Sequence, residues 1–199
     1  MIEKLKAWDE QLFIYLNGIH ADWLDPVMMT LTGRYIWIPL YLFLIYQLVR
    51  IYQKEAVWYV FGIALAILIA DQFTSGFMKP FFERLRPCHD PRWADTIVNY
   101  AGCGGQYGFA SSHAANTFAL ATYLNLVVGS KRKGFIWLFL WAAVISYTRI
   151  YLGVHYPSDI LVGAFVGVVA GGIAWFTIQK LKFMVTKHSK THRVDTDKR

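Results

Sequence analysis

Residues 56–78 read AVWYVFGIALAILIADQFTSGFM, 23 positions that carry one charged side chain, Asp71. A chain crossing the hydrocarbon core of a bilayer needs about 20 mostly apolar residues, and only a helix or a closed barrel satisfies its own backbone there. This stretch meets that requirement as a helix. Four further apolar segments follow the same rule, at roughly Tyr35 to Tyr52, His113 to Val128, Phe135 to Tyr151 and Asp159 to Ile178. The segments from His113 and Phe135 are the shorter ones and begin at polar turns. The expected fold is all-α, an integral membrane helical bundle with about five transmembrane helices plus an N-terminal amphipathic helix.

Composition agrees with that expectation. The 199 residues are 56% hydrophobic and only 17% charged, whereas soluble domains carry about a quarter charged residues. The expected organisation is an amphipathic N-terminal segment (1–33), a membrane-embedded domain (34–179) and a basic cytoplasmic tail (180–199). The start of the chain lacks a charged, apolar and small-residue succession, so no removable signal peptide is expected. Ile2, Leu5, Trp8, Leu12, Leu16 and Ile19 instead recur at three- and four-residue spacing between Glu3, Lys6, Asp9 and Glu10. Such a helix either lies in the membrane interface or packs on the bundle.

Lys and Arg gather on the cytoplasmic side of membrane proteins. With Lys79, Arg86 and Arg149 facing outward, 12 of the 20 cations fall on the inner side: Arg50, Lys54, Lys131, Arg132, Lys133 and seven from Lys180 to Arg199. The bias favours a multi-pass protein of the inner membrane whose polar motifs face the periplasm or exterior. The basic tail suits anionic inner-leaflet lipid. It is short, terminal and without interleaved aromatics, which argues against nucleic acid as a partner.

Cys88 and Cys103 both fall in the long loop between Met78 and Ser111. A disulfide is the favoured reading on an oxidising side. The rivals are two free thiols, or a metal site formed with His89 and Asp90, although the spacing matches no zinc pattern. Asp71 reads as a structural partner below the polar motifs rather than a catalytic group. Gly163, Gly167 and Gly171 read as a helix-packing stripe, and the tryptophans as interfacial anchors and core.

Three polar clusters stand out: Lys79 with Arg86-Pro87, Ser111-Ser112-His113, and Arg149 with His155 and Asp159. A phosphoryl group in transfer spreads negative charge over its oxygens, so its catalyst needs placed cations and hydrogen-bond donors. Lys79, Arg86 and Arg149 supply the cations, while Ser111 and Ser112 stand where a helix N-terminus favours anions. Two histidines permit two tasks, attack on phosphorus and protonation of the leaving oxygen. Asp159, four residues after His155, can hold that imidazole by one nitrogen and leave the other free.

These residues resemble the signature of the type 2 phosphatidic acid phosphatase family, which includes vanadium-dependent haloperoxidases. The motif Lys-x6-Arg-Pro stands at Lys79 to Pro87. Pro-Ser-Gly-His corresponds to Ala110-Ser111-Ser112-His113, with Ala and Ser in the Pro and Gly places. Ser-Arg-x5-His-x3-Asp corresponds to Thr148-Arg149 through His155 to Asp159. The resemblance implies His155 as nucleophile, His113 as proton donor, Asp159 as the partner of His155, and Lys79, Arg86, Ser111 and Arg149 as phosphate ligands. Ser112, where the family has Gly, is an added candidate.

The implied activity is metal- and cofactor-free hydrolysis of a membrane lipid phosphate or diphosphate, with undecaprenyl diphosphate as the first expectation. Phosphatidylglycerol phosphate, phosphatidic acid and lipid A phosphates are the alternatives. Two other classes are a vanadate haloperoxidase, which the apolar spans disfavour, and a lipid transporter, which would not need both histidines. Oligomeric state is not readable from the chain.

Overall fold

The computed structural model describes residues 1–33, 35–100, 102–129 and 133–196, without the side chains of residues 2, 133–134 and 188–196. Arg34, Lys131, Arg132, Lys198 and Arg199, which entered the charge count, lie outside the described residues, as do the side chains of Lys133, Lys190 and Arg193. The regular elements of the described residues are all helices, and their one β-contact is an isolated bridge between Leu85 and Tyr107.

Among the described residues eight α-helices follow in order: α1 (Ile2–Asn17), α2 (Asp25–Leu31), α3 (Ile38–Tyr52), α4 (Ala56–Asp71), α5 (Lys79–Phe82), α6 (Ser112–Val128), α7 (Trp137–Tyr151) and α8 (Pro157–Thr196). A π-helical stretch, Gln72–Met78, joins α4 to α5. All five apolar segments fall on helices. Tyr35–Phe82 and Pro157–Lys187 are long and apolar enough to cross a membrane, and the first is broken at Gln53, whose φ of 50° turns α3 back as α4. Leu42, Phe61, Leu68, Leu140, Leu161, Phe165 and Phe176 each expose more than half their surface. Outward apolar side chains on so many helices suit hydrocarbon, not water.

Helix α6 is the central post, packed against α8, α4 and α7. Its small residues explain why. Ala114, Ala115, Ala119 and Ala121 are fully buried, and the glycine stripe of α8 lies against their backbone. A Cβ on Gly163, Gly167 or Gly171 would stand 2.5, 2.3 or 2.7 Å from the carbonyls of Ser111, Ala115 and Ala119 respectively. Those distances are closer than any carbon tolerates, so the stripe sets the α6–α8 approach, as expected of it.

Helix α1 packs on the bundle by one face, against α7 and α8. Asp9, Phe13 and Asn17 face the protein, with Phe13 fully buried and edge-on to Tyr156. The Asn17 side chain donates to the carbonyls of Val98, Ile150 and Tyr151 and accepts from the Val98 N–H. Leu5, Trp8, Leu12, Tyr15 and Ile19 form the opposite, exposed stripe.

Candidate active site

The polar clusters converge at one end of the bundle because successive helices reverse direction. Lys79 sits at the start of α5, just after the π-helical stretch. Its Nζ donates to the Ser112 hydroxyl at 2.7 Å, across a separation of 33 residues. Ser75 lies 2.7 Å from the same hydroxyl and 3.4 Å from an Asp71 carboxylate oxygen, which also accepts from Asn116. Asp71 is therefore bonded beneath the site, the structural place expected of it.

The N-terminus of α6 is tied to that of α8: the Ser111 N–H donates to the Asp159 carbonyl at 3.0 Å. Ser111 is the N-cap of α6, with its hydroxyl accepting from the Ala114 N–H at 3.5 Å. It is fully buried. Of the two serines, it is Ser112 whose hydroxyl meets a site cation.

Arg86 lies in the loop after α5. Its guanidinium donates to the carbonyls of Tyr107 and Cys103 at 3.2 and 3.0 Å. Cys103 is disulfide-bonded to Cys88 with a Cα separation of 5.8 Å. The expected disulfide thus secures the loop on which Arg86 rests, and neither sulfur is left as a metal ligand. Closing a 15-residue separation stabilises the fold by about 3 kcal/mol in chain-entropy terms.

Arg149, at the end of α7, donates to the Thr32 hydroxyl after α2 at 2.5 Å. Its carbonyl accepts from the N–H groups of Val154 and His155 at 3.0 and 3.2 Å, which folds the chain sharply toward α8. The Arg149 Nε is buried with no partner among the described residues, a donor open to an anion.

His155 is 1% exposed and Asp159 fully buried. The His155 Nδ1 lies 3.1 Å from one Asp159 carboxylate oxygen, which also accepts from the Tyr156 N–H at 3.0 Å. An ionised carboxylate only accepts, so Nδ1 carries the proton and Nε2 keeps its lone pair. Burial pushes the His155 imidazole down to about 4, with the nearby charges of Arg86 and Arg149 in the same direction and Asp159 opposing them. The ring is neutral near pH 7. Gly108 closes the other side: a Cβ there would stand 3.1 Å from Asp159 and 3.5 Å from the His155 ring.

His113, in the first turn of α6, is exposed. It lines a cavity of about 220 Å³ with Thr32, Trp37, Asn116, Thr117 and Trp141. One histidine is thus held and hidden while the other stands at an opening.

A sequence model described as the PAP2 superfamily matches residues 55–183, well over half of the chain. The chain belongs to the PAP2 superfamily. The lipid A 4'-phosphatase of Bacteroides thetaiotaomicron is 42% identical over 184 residues, covering 91% of this chain and 81% of that protein. The lipid A 4'-phosphatase of Porphyromonas gingivalis is 35% identical, covering 85% and 72%. Among solved structures, Aquifex aeolicus LpxE superposes with a TM-score of 0.62 at 31% identity, over 82% of this chain and 92% of that one. The protein is accordingly a PAP2 phosphatase acting on lipid phosphates at a membrane.

This PAP2 phosphatase brings Lys79, Arg86, Ser112, His113, Arg149, His155 and Asp159 to one end of its bundle. Ser111 serves there as a helix cap. Sequence reading passed over Ser75, Gly108 and Thr32, which carry no spacing signal because their partners lie in distant segments. Arg84, which belongs to none of the three clusters singled out in the sequence, donates to Asp159 at 3.0 Å.

Proposed function

We propose that this phosphatase removes the 4'-phosphate of lipid A through a phosphohistidine on His155, with its site on the outer face of the inner membrane. The observation that carries the mechanism is the buried His155–Asp159 pair at 3.1 Å, which presents a neutral, oriented nitrogen beside three fixed cations. The His155 Nε2 attacks phosphorus and the bond to the sugar oxygen breaks. His113, protonated against the negative charge of the bound phosphate, gives its proton to that oxygen. Water then attacks phosphorus with its proton passing to His113, the P–N bond breaks, and orthophosphate leaves. Lys79, Arg86, Arg149 and the Ser112 hydroxyl hold the phosphoryl oxygens. The side chains themselves offset the developing charge, so the reaction proceeds in chelator.

The substrate assignment rests on the Bacteroides and Porphyromonas relatives, both lipid A 4'-phosphatases at 42% and 35% identity. Undecaprenyl diphosphate, the first expectation from the sequence, becomes the second reading. The test is phosphate release by detergent-purified protein from lipid A, undecaprenyl diphosphate and phosphatidylglycerol phosphate, with chelator present and His155→Ala alongside. Mass spectrometry of the lipid product identifies which phosphate is lost. Loss from the 4' position that requires His155 is the expected result. Turnover of undecaprenyl diphosphate alone would overturn the substrate, and an active His155→Ala enzyme would overturn the mechanism.

A further inference from the structure

The N-terminal helix reaches the catalytic pair. Asp9 of α1 accepts from the Ser158 N–H at 2.8 Å with one carboxylate oxygen, and from Arg84 at 2.7 Å and the Ser158 hydroxyl at 2.5 Å with the other. Arg84 turns its second nitrogen to the Ser158 hydroxyl at 2.6 Å and to Asp159 at 3.0 Å. Its guanidinium lies over the Tyr156 ring, 4.0 Å from the centroid. Asp159 presents its remaining oxygen to His155. A continuous chain of charged hydrogen bonds therefore runs from Asp9 through Arg84 and Asp159 to His155.

We infer that Asp9 is a positioning residue for the phosphatase reaction, acting through Arg84 on the Asp159–His155 pair. The inference rests on the reading of His155 as nucleophile. An arginine paired with Asp159 alone would draw the carboxylate's charge away from the imidazole it must orient. Asp9 shares that arginine, so one cation is divided between two carboxylates and Asp159 keeps hydrogen-bonding strength for His155. Asp9 also anchors the outer edge of the guanidinium, whose side chain is 23% exposed and would otherwise swing toward solvent. The neighbouring Glu10 supplies a contrast. It pairs with Arg92, whose side chain is 52% exposed and which is also held by Asp90, and this network does not touch the catalytic pair.

The test is steady-state phosphate release from lipid A in detergent micelles by the full chain. Asp9→Asn should lower kcat about tenfold with KM changed less than about twofold, because the lost element orients rather than binds. Asp9→Glu should restore part of the loss. Asp9→Asn added to Arg84→Met should cost no more than Arg84→Met alone, since both lie on one path. Glu10→Gln should match the parent.

A parental kcat in Asp9→Asn, additive losses in the double variant, or equal damage from Glu10→Gln would each overturn the role. If Asp9→Asn does not fold, Arg84→Lys and Asp9→Glu carry the same test through their kcat. His155→Ala runs in parallel. Activity surviving there removes the nucleophile reading itself, whereas an inactive His155→Ala beside an unimpaired Asp9→Asn removes only the role of Asp9.

Discussion

At the scale of single residues, the decisive feature is a histidine kept neutral by burial. His155, at about 4 against an ordinary value of about 6.5, binds fewer protons folded than unfolded between those limits. Its contribution to stability is therefore complete above pH 6.5 and is lost as the pH falls toward 4, by up to about 3 kcal/mol. Urea unfolding of detergent-solubilised protein at pH 7 and pH 4.5 should show that loss, reduced in His155→Ala. The neutral ring is also the nucleophile, so kcat/KM should hold its plateau down to about pH 5 as far as this group governs it. Asp159→Asn should lower kcat by at least about a thousandfold, as amide substitution inverts the donor at Nδ1 and misplaces the ring proton. The pairing of His155 with Asp159 was legible because both lie within one turn of chain. The involvement of Arg84 with Asp159 was not, since 75 residues separate them and nothing local distinguishes Arg84 from an interfacial cation.

At the scale of elements, the site depends on how near α8 comes to α6. Their N-termini are stapled by the Ser111 N–H and the Asp159 carbonyl, and the glycine stripe permits that staple. Gly167 is the tightest of its three positions, with a Cβ 2.3 Å from the Ala115 carbonyl. Gly167→Val should destabilise the protein by about 3 kcal/mol, at the upper end of overpacking costs, and lower activity by parting Ser111 from Asp159. Leu161→Val, on the exposed face of the same helix, should leave both nearly unchanged. Thermal melting in detergent with a parallel activity assay checks the pair. The stripe was legible from its four-residue period. Its partner was not, because period names a face and not the helix that covers it. The same limit applied to α1, whose apolar residues divide into an exposed stripe and a buried anchor at Phe13; periodicity alone left interface and bundle equally open.

At the scale of the whole molecule, the two ends differ in chemistry. One gathers the cations, the two histidines and the disulfide. The other is closed by Lys182, which bonds Glu55 and the Tyr59 hydroxyl, and by Tyr52, which donates to the Val127 carbonyl at 2.5 Å. The orientation proposed above, with positive charge retained inside, puts the second end in the cytoplasm. A reporter that is active only in the cytoplasm, fused after Arg199, should be active in cells, and an impermeant amine reagent should reach the lysines of α1. The opposite result would reverse the orientation.

The residue types and spacings of the chain determined its membrane class, its helices, its family and its phosphate chemistry, because hydropathy and short motifs act over local distances. Only tertiary structure decided that Ser112 rather than Ser111 meets Lys79, that the cysteine loop carries Arg86, and that Asp9 reaches Asp159 through Arg84. Those contacts join residues dozens of positions apart. They exist only once helix packing has placed the helix ends side by side, and no local pattern encodes that placement.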